Sequence, residues 1–262
     1  MNTKAIFFDV DGTLWDENMC IPKSTRVALE ELKENGHLLF LCSGRSRSNI
    51  TSEELLSLGF HGIIAACGNH IEYNGKVVYE YLLAEELVKK IITTCEKNQM
   101  PVVLEGPKNH WISTKGFEAD PFVDYLWESM GSAARPLKGY EKDMLLNKFS
   151  ADILPDTDFE AVRMDLEGDF DILLHTNEIV EFVPKNTSKA TGIKWVCDNL
   201  GIAIENTYAI GDSVNDLDML EFVSHGIAMG NASEEPRRVA EYVTEDIHED
   251  GLYLAMKHYG LI

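Results

Sequence analysis

The sequence predicts an α/β fold: a doubly wound parallel-sheet core interrupted by an inserted α+β domain. Three observations carry this expectation. Short apolar runs alternate with helix-period stretches at the start of the chain and again near its end, the rhythm of crossover units in a parallel sheet. That rhythm breaks at Asn74-Gly75, a strong hairpin signal, and resumes only at Ser188. The 262 residues suit one large domain or two modest ones, at roughly 150 residues each.

The first strand is Ala5 to Val10, a nearly continuous apolar run of the kind covered on both faces of a parallel sheet. Ser24 is placed to cap a helix running to Asn35, with Ala28, Leu29 and Leu32 on one face and Gly36 as its stop. A second strand, His37 to Cys42, leads through a polar turn into a helix that runs through Leu58 and closes at Gly59. The third strand is Gly62 to Cys67.

Ile71–Tyr73 and Val77–Tyr81 then flank the hairpin turn. The inserted segment has a helix (Ala84 to Asn98), short strands around Val102–Leu104 and Trp111–Ser113, and a helix near Glu118–Met130. After a Gly/Pro/Lys-rich stretch come a strand near Leu145–Ile153, a helix from Thr157, and strands Phe170–His175 and Ile179–Val183. Helix–strand–strand near both ends hints at a duplicated unit, without an exact repeat. The core rhythm returns with a helix from Ser188 to Leu200, stopped by Gly201. Strand Tyr208–Ile210, a helix from Asn215, strand Gly226–Met229, a helix near Glu234–Ala240, strand Tyr242–Val243 and a terminal helix Glu249 to Tyr259 follow. The domains read as core 1–81 and 187–262, with 82–186 inserted.

Charge narrows the function. With 23 Lys+Arg against 44 Asp+Glu the net charge is −21. Such a chain repels a phosphate backbone and an anionic membrane surface, which argues against nucleic-acid and membrane partners. A small phosphorylated substrate is compatible, provided a cation reverses the sign locally. No apolar run reaches the roughly 18 residues of a membrane span, and Met1 to Asp9 does not read as a signal peptide. Five cysteines, an odd count with no C-x-x-C pair, read as reduced thiols of a cytoplasmic protein. Nothing in the sequence specifies an oligomeric state.

Ligands of open parallel sheets bind at the carboxyl ends of the strands. After the first core strand stand Asp9, Asp11, Gly12 and Thr13. After the second stand Ser43, Gly44 and Arg45, and after Tyr208–Ile210 stand Gly211, Asp212, Ser213, Asn215 and Asp216; Lys189 opens the returning helix. Asp9 and Asp11 share a side of the chain, roughly 7 Å apart at about 3.4 Å per residue. One can serve as nucleophile or metal ligand and the other as proton donor; a plain Asp-Gly turn reads equally well from D-x-D-G alone. Asp212 ends a second buried strand, where it can cap a helix, bind a metal or do both. Three acids on one sheet edge need a counter-charge, and their oxygens suit Mg²⁺ rather than zinc. Ser43, the Gly44 amide and Lys189 can hold a phosphate; Ser43 also reads as a helix cap, Lys189 as a first-turn helix residue and Arg45 as an exposed charge. His70 reads as a solvent-facing loop histidine, and His110 with Trp111 as packing or solvent contact within the inserted segment.

Phe8–Leu14 (FDVDGTL), Ser43–Arg45 (SGR), Ser188–Lys189 and Gly211–Leu220 (GDSVNDLDML) resemble, in order and spacing, the four motifs of the haloacid dehalogenase (HAD) superfamily. An insert placed after the second motif and preceded by GNHIEYNGK at Gly68–Lys76 is similar to the Cof-type phosphatases with an α+β cap on a Rossmann-like core. The resemblance implies a phosphatase acting on a small phosphorylated metabolite. Asp9 would be the nucleophile that becomes an aspartyl-phosphate. Asp11 would protonate the leaving alcohol and then activate water, its backbone carbonyl also binding Mg²⁺. Asp9 and Asp212 would supply the carboxylate metal ligands, and Ser43 and Lys189 would hold the phosphate. Asn215 would contact the phosphoryl group or order Lys189, Asp216 would support the loop, and Arg45 would be a supporting residue of the site. The family's frequent Gly–Val–Ser–Lys–Gly is here Asn186, Thr187, Ser188, Lys189, Ala190, and Ser43 stands where Thr is common; both changes keep the functional groups. A phosphotransferase or mutase on the same scaffold is the nearest alternative. A phospho-accepting signalling module is disfavoured by the long insert and Asp11, and a non-catalytic binder by the intact acids and Lys189.

Overall fold

The computed structural model describes residues 3–118 and 120–262. It divides into two compact units. The first comprises Met1–Gly44, Ser52–Tyr79 and Ser188–Ile262, and the second Arg45–Thr51 and Glu80–Thr187. The expected boundaries near residues 81 and 187 lie within two residues of these, but 45–51 belong with the second unit. Ser46 and Ser48 tie them there, Ser46 Oγ lying 2.5 Å from His110 Nε2 and Ser48 Oγ donating to the Gly106 carbonyl at 2.7 Å.

The first unit opens with β1 (Ala5–Phe8), α1 (Lys23–Glu34), β2 (Leu38–Cys42), the single turn α2 (Glu53–Leu56), β3 (Gly62–Ala65), β4 (His70–Tyr73) and β5 (Lys76–Glu80), whose last residue begins the second unit. Pro22, not Ser24, stands at the start of α1; its ring fixes φ at a value that leads into a helix, and Ser24 Oγ is buried without a hydrogen bond. The helix expected through Leu58 shrinks to a 3-10 turn at Arg47–Asn49 and α2, which Ser52 caps. Asn74 and Gly75 both take positive φ, as a two-residue hairpin turn demands.

The second unit contributes α3 (Glu85–Lys97), β6 (Val102–Glu105), β7 (His110–Ser113), α4 (Pro121–Met130), β8 (Ala134–Leu137), β9 (Lys148–Asp152), α5 (Phe159–Leu166), β10 (Phe170–Leu174) and β11 (Ile179–Pro184). The helix expected near Glu118 begins at Pro121 behind an Asp120 cap; Ala119, within the expected span, lies outside the described residues. The strands form one sheet in the order β10-β11-β9-β6-β7-β8. Alternation divides its residues between two clusters. Leu104, Phe149, Phe170 and Phe182 pack with Val88, Ile91 and Ile92 of α3 and Val162 and Leu166 of α5. Val103 and Ile112 pack with Val123, Leu126 and Met130 of α4.

The first unit resumes with α6 (Lys189–Leu200), β12 (Thr207–Gly211), α7 (Leu217–Phe222), β13 (His225–Ala228), α8 (Glu234–Val239), β14 (Tyr242–Val243) and α9 (Gly251–His258). Its sheet runs β14-β13-β12-β1-β2-β3-β4-β5, parallel through β3, with β4 antiparallel to β3. Phe7, Phe40, Ile64 and Ala209 meet Ile193 and Val196 of α6 and Met219 and Leu220 of α7, with Phe7 and Phe40 stacked at 5.1 Å. The alternate residues Ile6, Phe8, Leu39 and Leu41 are also fully buried, so both faces of the sheet are covered. Truncating Phe7 to Ala would cost about 3–5 kcal/mol. No described helix is long and apolar enough to cross a membrane.

Candidate active site

Backbone pairing brings the site together. Phe8 lies in register with Leu41 of β2 and Ile210 of β12, so the residues after these three strands emerge at one end of the sheet. The Asp9 N–H donates to the Ile210 carbonyl at 3.0 Å, which fixes Asp9, buried at 4% exposure, at the tip of β1. The chain then turns. Leu14 N–H returns to the Val10 carbonyl and Gly12 N–H to that of Trp15, both at 3.0 Å. Gly12 is required here twice: its φ is +75°, and a Cβ would lie 2.5 Å from Asp212 Oδ2. Asp11 is exposed, and its Oδ1 accepts from the Trp15 indole at 2.9 Å.

From the other side, Ser188 caps α6 in a reciprocal box with Thr191, and Lys189 enters the core as its first residue. The loop after β3 closes on that cap, where a Cβ on Gly68 would stand 2.2 Å from the Ser188 carbonyl. Lys189 Nζ lies 2.6 Å from Asp9 Oδ1, 2.5 Å from Asp216 Oδ1 and 3.1 Å from Asn215 Oδ1. Asp216 Oδ2 accepts from the N–H groups of Asp212 and Ser213 at 2.9 and 3.0 Å, and Thr13 Oγ1 donates to Asp212 Oδ1 at 3.1 Å. Asp9, Asp212 and Asp216 each offer a carboxylate oxygen within 4.8 Å of the others.

The charges do not balance. Burial, reinforced by Asp216, raises the Asp9 carboxyl well above its ordinary range, with Asp212 and Asp11 adding to this and Lys189 opposing it. Burial and then Asp216 likewise push Asp212 up to about 7. Burial would strip the proton from Lys189, but Asp216 and Asp9 outweigh it and hold the ammonium charged. Three carboxylates against one ammonium leave room for further positive charge. The donors are all oxygen, which fits a hard divalent cation and not zinc.

Of the expected residues, Asp9, Lys189, Asp212, Asn215 and Asp216 thus meet directly. Asn215 bonds Lys189, one of the two roles expected of it. Asp216 does hold its loop, but it also joins the carboxylate group, which its place in the sequence does not reveal. Ser43 is buried beside β3, its N–H donating to the Ile64 carbonyl at 2.8 Å, and Gly44 follows it. Arg45 falls in the second unit, its guanidinium 6.0 Å from the Tyr125 ring centre. His70 is not a solvent-facing loop residue; it is buried on β4, with Nε2 3.2 Å from Glu72. His110 and Trp111 are buried on β7, as packing requires. Two positioning residues went unread, Gly68 and Asn231. Asn231 donates to the Gly12 carbonyl at 2.8 Å and accepts from the Ile247 N–H. Gly68 opens the GNHIEYNGK run, but its packing against the α6 cap has no sequence signal beyond a loop glycine, and Asn231 none beyond a loop asparagine.

A fold and site of this kind define a class. A profile of the haloacid dehalogenase-like hydrolases matches residues 6–256, and the chain belongs to that family. YkrA of Bacillus subtilis strain 168, which carries the name of a phosphatase, is 34% identical over 265 residues, covering 100% of both chains. YcsE of the same strain, a 5-amino-6-(5-phospho-D-ribitylamino)uracil phosphatase, is 27% identical over 269 residues, covering 100% of this chain and 97% of its own. Among solved structures, the HAD subclass IIB sugar phosphatase BT4131 matches with a TM-score of 0.82 at 28% identity, covering 99% of this chain and 100% of that one. Membership makes the chain a hydrolase, and relatives that span its whole length make that hydrolase a phosphatase.

Proposed function

We propose that the chain is a Mg²⁺-dependent phosphatase of sugar or polyol phosphates, working in the cytoplasm through an aspartyl-phosphate on Asp9. The observation that carries this is Asp9 itself: a buried carboxylate at a strand tip, 2.6 Å from the Lys189 ammonium and grouped with Asp212 and Asp216. An Asp9 oxygen attacks phosphorus as the bond to the substrate alcohol breaks, and Asp11 gives that alcohol its proton. Water then attacks phosphorus, Asp11 takes its proton, and the bond to Asp9 breaks to release inorganic phosphate. Lys189 offsets phosphate charge, while the Ser43 hydroxyl and Gly44 amide donate to the phosphate oxygens. Asp9, Asp212 and the Asp11 carbonyl would hold Mg²⁺, which when bound supplies charge that keeps Asp9 ionised and neutralises the transferring phosphoryl group. The substrate class is supported by the sugar and ribityl phosphates named for BT4131 and YcsE. The five free cysteines support a reducing compartment.

The test is phosphate release from a panel of sugar, polyol and nucleoside phosphates, with Mg²⁺ and with chelator. Turnover confined to Mg²⁺ and lost in Asp9→Asn is expected. Full turnover in chelator, or in Asp9→Asn, would overturn the assignment.

A further inference from the structure

The two edges of the first unit's sheet differ. One ends in β14, only two residues long, a common way of blunting an edge against pairing. The other ends in β5, five residues long and apolar at its centre, with Val77 55% and Val78 41% exposed.

The hydrogen-bond phase of this edge follows from its neighbours. Asn74 N–H donates to the His61 carbonyl at 2.8 Å, so on β4 residues 74, 72 and 70 address β3, while Tyr73 and Ile71 address β5. Across the two-residue turn, Lys76 and Val78 therefore bond back to β4. The N–H and C=O groups of Val77 and Tyr79 point outward, beyond the last strand of the sheet.

We infer that this edge pairs with the β5 edge of a second copy of the chain, antiparallel about a two-fold axis through Val78. Backbone bonds across the axis can join only the outward-facing residues, which leaves three antiparallel registers: Val77 with Val77, Tyr79 with Tyr79, or Val77 with Tyr79. The first sets Lys76 against Val78 and the second sets Glu80 against Val78. The third gives four backbone hydrogen bonds and sets Lys76 of each copy opposite Glu80 of the other, twice. Charges at the ends of an edge strand usually prevent pairing, but Lys-Val-Val-Tyr-Glu is self-complementary when antiparallel. Parallel pairing would instead stack Lys on Lys and Glu on Glu. The Tyr79 ring, 5.9 Å from Trp195, adds apolar cover on the face it shares with Val77.

Sedimentation velocity over a concentration series tests this, and a dimer is expected. Lys76→Glu and Glu80→Lys should each weaken it about tenfold or more, since two attractive pairs become repulsive; the double exchange Lys76→Glu/Glu80→Lys should restore it. In a Cys20→Ser background, Val78→Cys should form an intermolecular disulfide on oxidation. A non-hydrogen-bonded antiparallel pair holds its Cα atoms about 4.5 Å apart, within disulfide range. Val77→Cys and Tyr79→Cys, which do not meet their own copies, should not cross-link. A chain monomeric at every soluble concentration, a double exchange that fails to restore the dimer, or cross-linking as efficient at Val77 as at Val78 would each overturn the inference.

Discussion

Lys189 and Asp9 are 180 residues apart in sequence and form a buried ion pair at 2.6 Å. The same ammonium reaches Asp216 at 2.5 Å, so one buried cation holds two carboxylates.

Lys189→Met should therefore act on stability as well as on turnover. Removing one partner from a buried ion pair strands the others, at roughly 3–5 kcal/mol. Chemical denaturation in chelator should show a loss of that size, and activity should vanish. Mg²⁺ should raise the melting temperature of the variant by more than that of the parent, because it meets carboxylates that have lost their counter-ion. An equal Mg²⁺ shift in both proteins would mean that the lysine and the cation do not share these carboxylates.

Gly12→Ala separates geometry from folding. The added methyl meets the Asp212 carboxylate at 2.5 Å on a backbone at φ +75°. The strain is local, about 1–2 kcal/mol by the left-handed penalty, but it displaces a proposed metal ligand. Turnover should fall by two orders of magnitude or more and the Mg²⁺ requirement should move to higher concentration, with only a few degrees lost in melting temperature. Near-parental kinetics would show that Asp212 has freedom to move.

The Trp15 indole donates to Asp11 Oδ1 at 2.9 Å, and a donor to a carboxylate favours its ionised form. Trp15→Phe should raise the apparent pKa of the proposed acid–base group and reduce turnover about fivefold, the worth of a hydrogen bond near 1 kcal/mol. The pH–rate profile on a sugar phosphate reads both. A profile that keeps its limbs while stability falls would reduce Trp15 to packing.

The second unit carries its own pH dependence. His110 is buried, its Nδ1 has no hydrogen-bond partner, and burial lowers its pKa to about 4. The folded unit holds it neutral while the unfolded chain protonates it near 6.5. Stability contributed by neutral His110 is thus complete above pH 6.5 and declines as pH falls toward about 4, by at most roughly 3 kcal/mol. His110→Gln, which can keep a contact to Ser46, should flatten that part of the stability curve. A slope between pH 6.5 and 4 unchanged by the substitution would assign it to other groups.

Much of this was legible because the informative residues are local. Asp9, Asp11 and Gly12 fall within four positions at the end of an apolar run, and Ser188 with Gly201 brackets α6 by ordinary capping chemistry. What escaped depends on the third dimension. The reach of the Asp216 carboxylate to Lys189 follows from the tight turn after Gly211, where a Cβ would lie 2.5 Å from Asp216 Cγ. The burial of His70 follows from β4 joining the sheet. β8 hid behind Arg135-Pro136, because proline usually argues against a strand; it is tolerated here on an edge strand, where a missing N–H breaks no ladder.

The register Ala5 with Thr207 joins residues 207 − 5 = 202 positions apart, with an entire inserted unit between them. On a ribosome adding 5–20 residues per second, β1 emerges roughly 10–40 s before the strand that completes its pairing. During that interval one side of a wholly apolar strand has no permanent neighbour, while the inserted segment, which finishes earlier, is free to fold. The nascent chain is then a half-built sheet with an open interior edge. Its yield in a cell should depend more on the speed of translation through residues 188–211, and on chaperones that shield β1, than on the stability of the finished protein.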